Sequence, residues 1–152
     1  MSSFVIKKSI RINATPGKVW AALTDPEKTK EYFFNARVES DWTPGSDISF
    51  KGKIFMFVPF EMTGKIVRVE PNRILQYTIK NGGKEDDSEG FSTVTDVLSF
   101  DEGQTLFAIT DDVGDAKGAG LRLKRSEKGW DKVLQGLKRI VEAENEPTRI
   151  AA

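Results

Sequence analysis

The stretch KGWDKVLQGLKRIVEAE, residues 128–144, decides the fold. Trp130, Val133, Leu134, Leu137, Ile140 and Val141 fall at offsets 0, 3, 4, 7, 10 and 11, with Lys, Arg, Asp, Gln and Glu between them. At the period of an α-helix those six side chains form one apolar stripe on an otherwise polar rod. A helix built this way covers something apolar, either a filled core or a hollow one. Gly129 and Gly136 weaken it locally and would allow close approach to a sheet.

Upstream stretches supply that sheet. FSTVTDVLSF and TLFAITDDV flank DEGQ, the pattern of a tight hairpin with Glu102 and Gly103 at its tip. RILQYTIK places Leu75, Tyr77 and Ile79 on one parity, and DISFKGKI does the same for Ile48, Phe50, Gly52 and Ile54. FEMTGKIVRVEP reads as a strand ended by Pro71, and FVIKKSIRIN as a strand with Ile6, Ile10 and Ile12 together. Between that first strand and Arg37 the helix-start grammar occurs twice. Thr15 with Pro16, and Asp25 with Pro26 and Glu27, are cap and first-turn residues. WTPGSD and NGGKEDDSEG are turn and loop clusters, and the Gly-rich VGDAKGAG leads toward the terminal helix. The order is strand, two short helices, about six strands, long helix. It predicts an α+β fold with an antiparallel sheet, as one domain over residues 1–152.

Composition narrows the chemistry. The 152 residues include no Cys and no His, which removes disulfides, thiolate sites, the commonest metal ligand and the usual near-neutral proton carrier. Basic and acidic residues balance at 23 each, so no overall field favours nucleic acid or an anionic membrane. The basic run LRLKRSEK lacks interleaved aromatics and reads as a solvated approach to the helix. KEDDSE lacks the spacing and glycine of a calcium loop. The longest apolar run, IFMFVPF, is too short to span a bilayer, and MSSFVIKKSI lacks a signal-peptide core. A cytoplasmic protein with no cofactor and no metal is the expectation.

VWAALTDPE followed by Tyr32-Phe33, the WTPGS turn, GKIVRVEPNRILQYT, the hairpin ending in TLFAIT, and GWDKVLQGLK together resemble the Hsp90-ATPase-activator homologue family, within the START-like, Bet v 1-like superfamily. The likeness runs from about residue 9 to 142 and lies in the ordered series rather than in any one motif. It implies a helix-grip fold, in which a curved antiparallel sheet wraps a long C-terminal helix and two short helices close one end. It also implies a cavity between sheet and helix, which in the superfamily often takes an apolar ligand. Hsp90 activators carry a further N-terminal domain for which this chain has no room.

Hairpin register identifies a polar position inside the apolar face. A two-residue tip pairs Phe100 with Thr105, Leu98 with Phe107 and Asp96 with Ile109. That turns Asp96 inward among Val94 and Leu98, with Asp111 diagonally near. The family usually has an apolar residue at the position of Asp96. A carboxylate there is costly unless paired, hydrated or neutralised. It is either a polar anchor with a raised pKa, or it is turned out by a bulge, or satisfied by Arg68 or Lys65. Tyr77 either lines the interior or is a core Tyr bonded to a backbone carbonyl. Trp42, Phe50, Met62, Phe107, Trp130 and Leu134 either surround a cavity or fill it. In IFMFVPF, Phe55 and Phe57 have the wrong parity for the core, which suits a cavity flap, a dimerisation patch or a folded loop.

Three functions follow as expectations. The first is a binding protein for a small apolar or amphipathic molecule. The second is a protein-interaction module, with a homodimer or a chaperone as partner. The third, less favoured, is an enzyme using Asp96 or Asp111 on a cyclic substrate.

Overall fold

The computed structural model describes residues 4–54, 57–82 and 88–145. Strand β1 (Val5–Ile12) leads into helices α1 (Pro16–Thr24) and α2 (Pro26–Tyr32). Strands β2 (Arg37–Ser40), β3 (Asp47–Ile54), β4 (Val58–Glu70), β5 (Ile74–Lys80), β6 (Phe91–Asp101) and β7 (Gln104–Asp112) follow, and α3 (Ala119–Asn145) ends the described chain. The strands form an antiparallel sheet in the order β1-β7-β6-β5-β4-β3-β2. The first strand thus closes against the last, and each remaining neighbour pair is joined by a direct connection. This is the helix-grip arrangement expected from the sequence.

Local chemistry explains the elements. Asp25 caps α2 by accepting from the Glu27 N–H at 2.9 Å. Thr15 holds the cap position of α1 in extended backbone but makes no side-chain cap bond, so Pro16 starts that helix. Glu102 and Gly103 have φ of 52° and 78°, the two positive values of a primed hairpin turn, and the pairs Asp96–Ile109, Leu98–Phe107 and Phe100–Thr105 follow from it. Between Ile66 and Arg68 the register of β4 on β5 shifts, and Val67 is turned outward at the bulge. Just before it, Gly64 lies so close to β5 that a Cβ would stand 1.6 Å from the Thr78 carbonyl oxygen.

The stripe of α3 lies on the concave face of the sheet. Trp130, Val133, Leu134, Leu137 and Val141 are buried and Ile140 is half-buried. A fully buried side chain of this kind contributes about 1.5–3 kcal/mol. Polar side chains tie the flanks of the helix to β1: Lys8 Nζ meets Asp131 Oδ1 at 2.7 Å, and Lys138 donates to the Arg11 carbonyl at 2.7 Å. Helix α3 begins at Ala119, so LRLKRSEK forms its first turns and is not an approach to it. The helix glycines also act differently from expectation. A Cβ on Gly136 would lie 2.8 Å from Tyr32 Cβ, and one on Gly129 would lie 3.4 Å from the Phe34 ring. They admit α2 and the residues after it, not the sheet.

Candidate functional site

Alternation along β6 and β7 turns Ser92, Val94, Asp96 and Leu98, and Thr105, Phe107, Ile109 and Asp111, onto the concave face. Asp96 is 3% exposed and Asp111 4% exposed. Val94 is paired across from Asp111 and Ile109 across from Asp96, so the two carboxyls are diagonal neighbours. Arg68 and Lys65 do not reach them, being paired with Glu70 and Asp47 at the surface. No bulge turns Asp96 outward. The Trp130 indole Nε1 donates to Asp111 Oδ2 at 2.7 Å, while Oδ1 of Asp111 and Oδ1 of Asp96 bond nothing.

Burial dominates the electrostatics. Desolvation, reinforced by the charge of Asp111, pushes the Asp96 carboxyl up to about 8. It therefore carries a proton near neutrality. Desolvation also raises Asp111, opposed by the Trp130 hydrogen bond, with Asp112 adding a smaller upward push. The Tyr77 hydroxyl is held well above its ordinary value by burial and then by the two carboxyls.

Two spaces adjoin this pair. An inner void of about 30 Å³ lies against Trp42, Phe50, Tyr77, Asp96 and Phe107. It has room for a water molecule or two, each needing roughly 10–15 Å³. An outer groove of about 320 Å³ opens at the end of the sheet beside α3, with Met62, Asp111, Phe34, Arg125 and Ser126 on its walls. That volume is at the lower end of ligand pockets, roughly 300–1,000 Å³. Phe33, Trp130 and Val133 line both spaces. The Phe33 and Trp130 rings meet edge to face with centroids 5.7 Å apart and form the partition.

The residues singled out in the sequence are thus divided. Trp42, Phe50, Tyr77, Asp96 and Phe107 face the void, Met62 and Asp111 face the groove, and Trp130 faces both. Leu134 is buried but lines neither space. Phe57 is 84% exposed beside Val58, while Phe55 and most of KEDDSE lie outside the described residues. Sequence reading missed Phe33, Phe34, Arg125 and Ser126. Arg125 and Ser126 stood in the basic run, five and four residues before Trp130, which a helical register puts about 1.4 and 1.1 turns before it. Phe34 carried no signal, because its side chain is aimed by φ of 51° at Phe34 followed by 59° at Asn35.

Asp96 faces the void of about 30 Å³, whereas Asp111 lines the groove of about 320 Å³. Among the described residues, no group of three or more acidic residues is placed to hold a metal ion, and no helix is long and apolar enough to cross a membrane.

The family model for "Activator of Hsp90 ATPase homolog 1-like protein" matches residues 13–142, and the chain belongs to that family. The solution structure of ChR145 from Cytophaga hutchinsonii is similar with a TM-score of 0.73 and 33% identity, over 95% of this chain and 98% of that one. MLL2253 from Mesorhizobium loti shares the fold with a TM-score of 0.79 at 18% identity, over 94% and 99% of the two chains. The Aha1 dimer from Colwellia psychrerythraea does so with a TM-score of 0.70 at 22% identity, over 91% and 96%. No curated protein matches the sequence.

Proposed function

We propose that this member of the Activator of Hsp90 ATPase homolog 1-like family binds a small amphipathic molecule in the groove beside α3, without transforming it. The observation that carries the reading is the groove itself. It is about 320 Å³, walled by the aromatic rings of Phe33, Phe34 and Trp130, and floored by a buried carboxyl. Apolar walls with a few placed polar groups are the general form of a ligand site. The inner void is too small to hold the ligand in this conformation.

Native mass spectrometry beside the denatured mass tests it. An adduct of a few hundred daltons that leaves on denaturation, and that Ser126→Trp abolishes in a folded protein, is the expected result. An adduct that survives Ser126→Trp would place the ligand elsewhere and remove the reading.

One observation favours a second reading as a protein-interaction module. Phe57 and Val58 stand 84% and 55% exposed at the start of β4. A contact there, with a second copy or with an Hsp90-type chaperone, would be weakened by Phe57→Ser in sedimentation or pull-down. Identical assembly of both forms would remove it.

A further inference from the structure

We infer that the molecule held in the groove is two-headed: a flat apolar body with a hydrogen-bond donor for Asp111 at one end and an anionic group for Arg125 at the other. This rests on the groove being the binding site. At the inner end Asp111 lines the groove, 4% exposed, with Oδ2 engaged by Trp130 and Oδ1 bonding nothing. A buried acceptor without a partner is unfavourable, and a ligand O–H or N–H that reached it from the groove would satisfy it. At the rim stands Arg125, exposed and in no ion pair with a described residue. Its neighbour Arg122 differs: it bonds the Val113, Ala116 and Lys117 carbonyls and pairs with Glu89.

The spacing follows from the helix. Trp130 pins Asp111, and Arg125 stands five residues earlier on α3, a rise of about 7–8 Å. Between the heads, the groove offers the rings of Phe33, Phe34 and Trp130 and the side of Val94, which suit stacking against a flat body. Asn81, Ser92 and Ser126 also line the groove, so further polar contacts lie within the same walls.

Calorimetric titration of the full chain with three probes tests the inference. They are para-hydroxyphenylpropionate, the same acid without its hydroxyl, and its methyl ester. The first is expected to bind, and each truncated probe to bind about fivefold or more weakly, the worth of one hydrogen bond or exposed ion contact. In Arg125→Gln the acid and ester should become equal, and in Asp111→Leu the hydroxyl should cease to matter. Arg125 is exposed, so its variant keeps the fold. Should Asp111→Leu not fold, the probe comparison in the unaltered protein stands alone. Equal affinity for all three, lost together in Ser126→Trp, would overturn the two-headed ligand and leave the groove as the site. Failure of every probe at millimolar concentration would overturn the ligand class, whereas the adduct experiment decides the groove independently.

Discussion

Asp111 and Trp130 are joined across the interface of sheet and helix, the indole Nε1 donating to Oδ2 at 2.7 Å between two buried residues. The bond fixes the end of β7 to the middle of α3. It also orients the indole that walls both the void and the groove.

Replacing Trp130 by Phe keeps a ring in the partition but leaves Asp111 Oδ2 unpaired. The expected loss is about 1–3 kcal/mol at neutral pH, the cost of a buried acceptor stripped of its donor. The missing bond also removes what holds the Asp111 carboxyl down, so its pKa should rise further. The loss should therefore shrink as pH falls and the carboxyl takes up a proton. Urea unfolding at pH 4.5 and 7.5 checks this. An equal loss at both values would mean that Trp130 stabilises by packing alone.

Asp96 makes stability depend on pH in the opposite sense to an ordinary surface carboxylate. Its folded pKa, about 8, lies above the unfolded value of 3.8. Between those values the folded state holds more protons, so stability falls as pH rises through that window. The raised Asp111 adds to the fall. Asp96→Asn is expected to flatten the slope and to exceed the parent in stability at pH 8 by on the order of a few kcal/mol. Melting temperatures at pH 5, 6.5 and 8 decide it. A parent protein that gains stability across this range would show that Asp96 is ionised in the fold.

The helix-grip order was legible because each element announces itself within its own residues. The stripe from Trp130 to Val141 is helical, and the two-residue tip at Glu102 sets the parity of Asp96 and Asp111. The division into void and groove was not legible. It depends on Phe33 and Phe34, and Phe34 is aimed by positive φ there and at Asn35 and received by the bare Gly129. Neither condition has a local pattern, since each arises from how α2 meets α3. Leu134 illustrates the converse: its parity was right, yet burial alone does not tell a filled position from a cavity wall.

Gly136 and Gly120 should respond in opposite directions to alanine. Both lie within α3, where alanine gains up to about 1 kcal/mol over glycine. A Cβ at Gly120 meets nothing, so Gly120→Ala should stabilise by part of that amount. At Gly136 it would stand 2.8 Å from Tyr32 Cβ and 3.4 Å from Tyr32 Cα, on the residue whose hydroxyl donates to the Ala22 carbonyl at 2.8 Å. Gly136→Ala should then cost about 1–3 kcal/mol net of propensity, the range for overpacking a filled interface. Chemical denaturation of the two variants side by side provides the comparison, and a stabilised Gly136→Ala would mean α2 yields freely.

Phe33 is expected to keep the Asp96 carboxyl dry. It lines the void and the groove together, and its ring packs on Trp130 at 5.7 Å and on Phe50 at 5.2 Å. Phe33→Ala should join the two spaces and let solvent reach the void. Phe33 is only half-buried, so the cost should fall below the ~3–5 kcal/mol of a fully buried Phe. The electrostatic consequence is more specific. Desolvation is the largest cause of the raised Asp96 pKa, and hydration removes it. In Phe33→Ala the Asp96 titration, followed by its carboxyl carbon shift in NMR, should move down from about 8 toward the ordinary value of 3.8. The Asp111 charge, the second cause of the rise, should keep it from returning fully. A midpoint unchanged from the parent would show that the barrier between groove and carboxyl is the Trp130 ring alone.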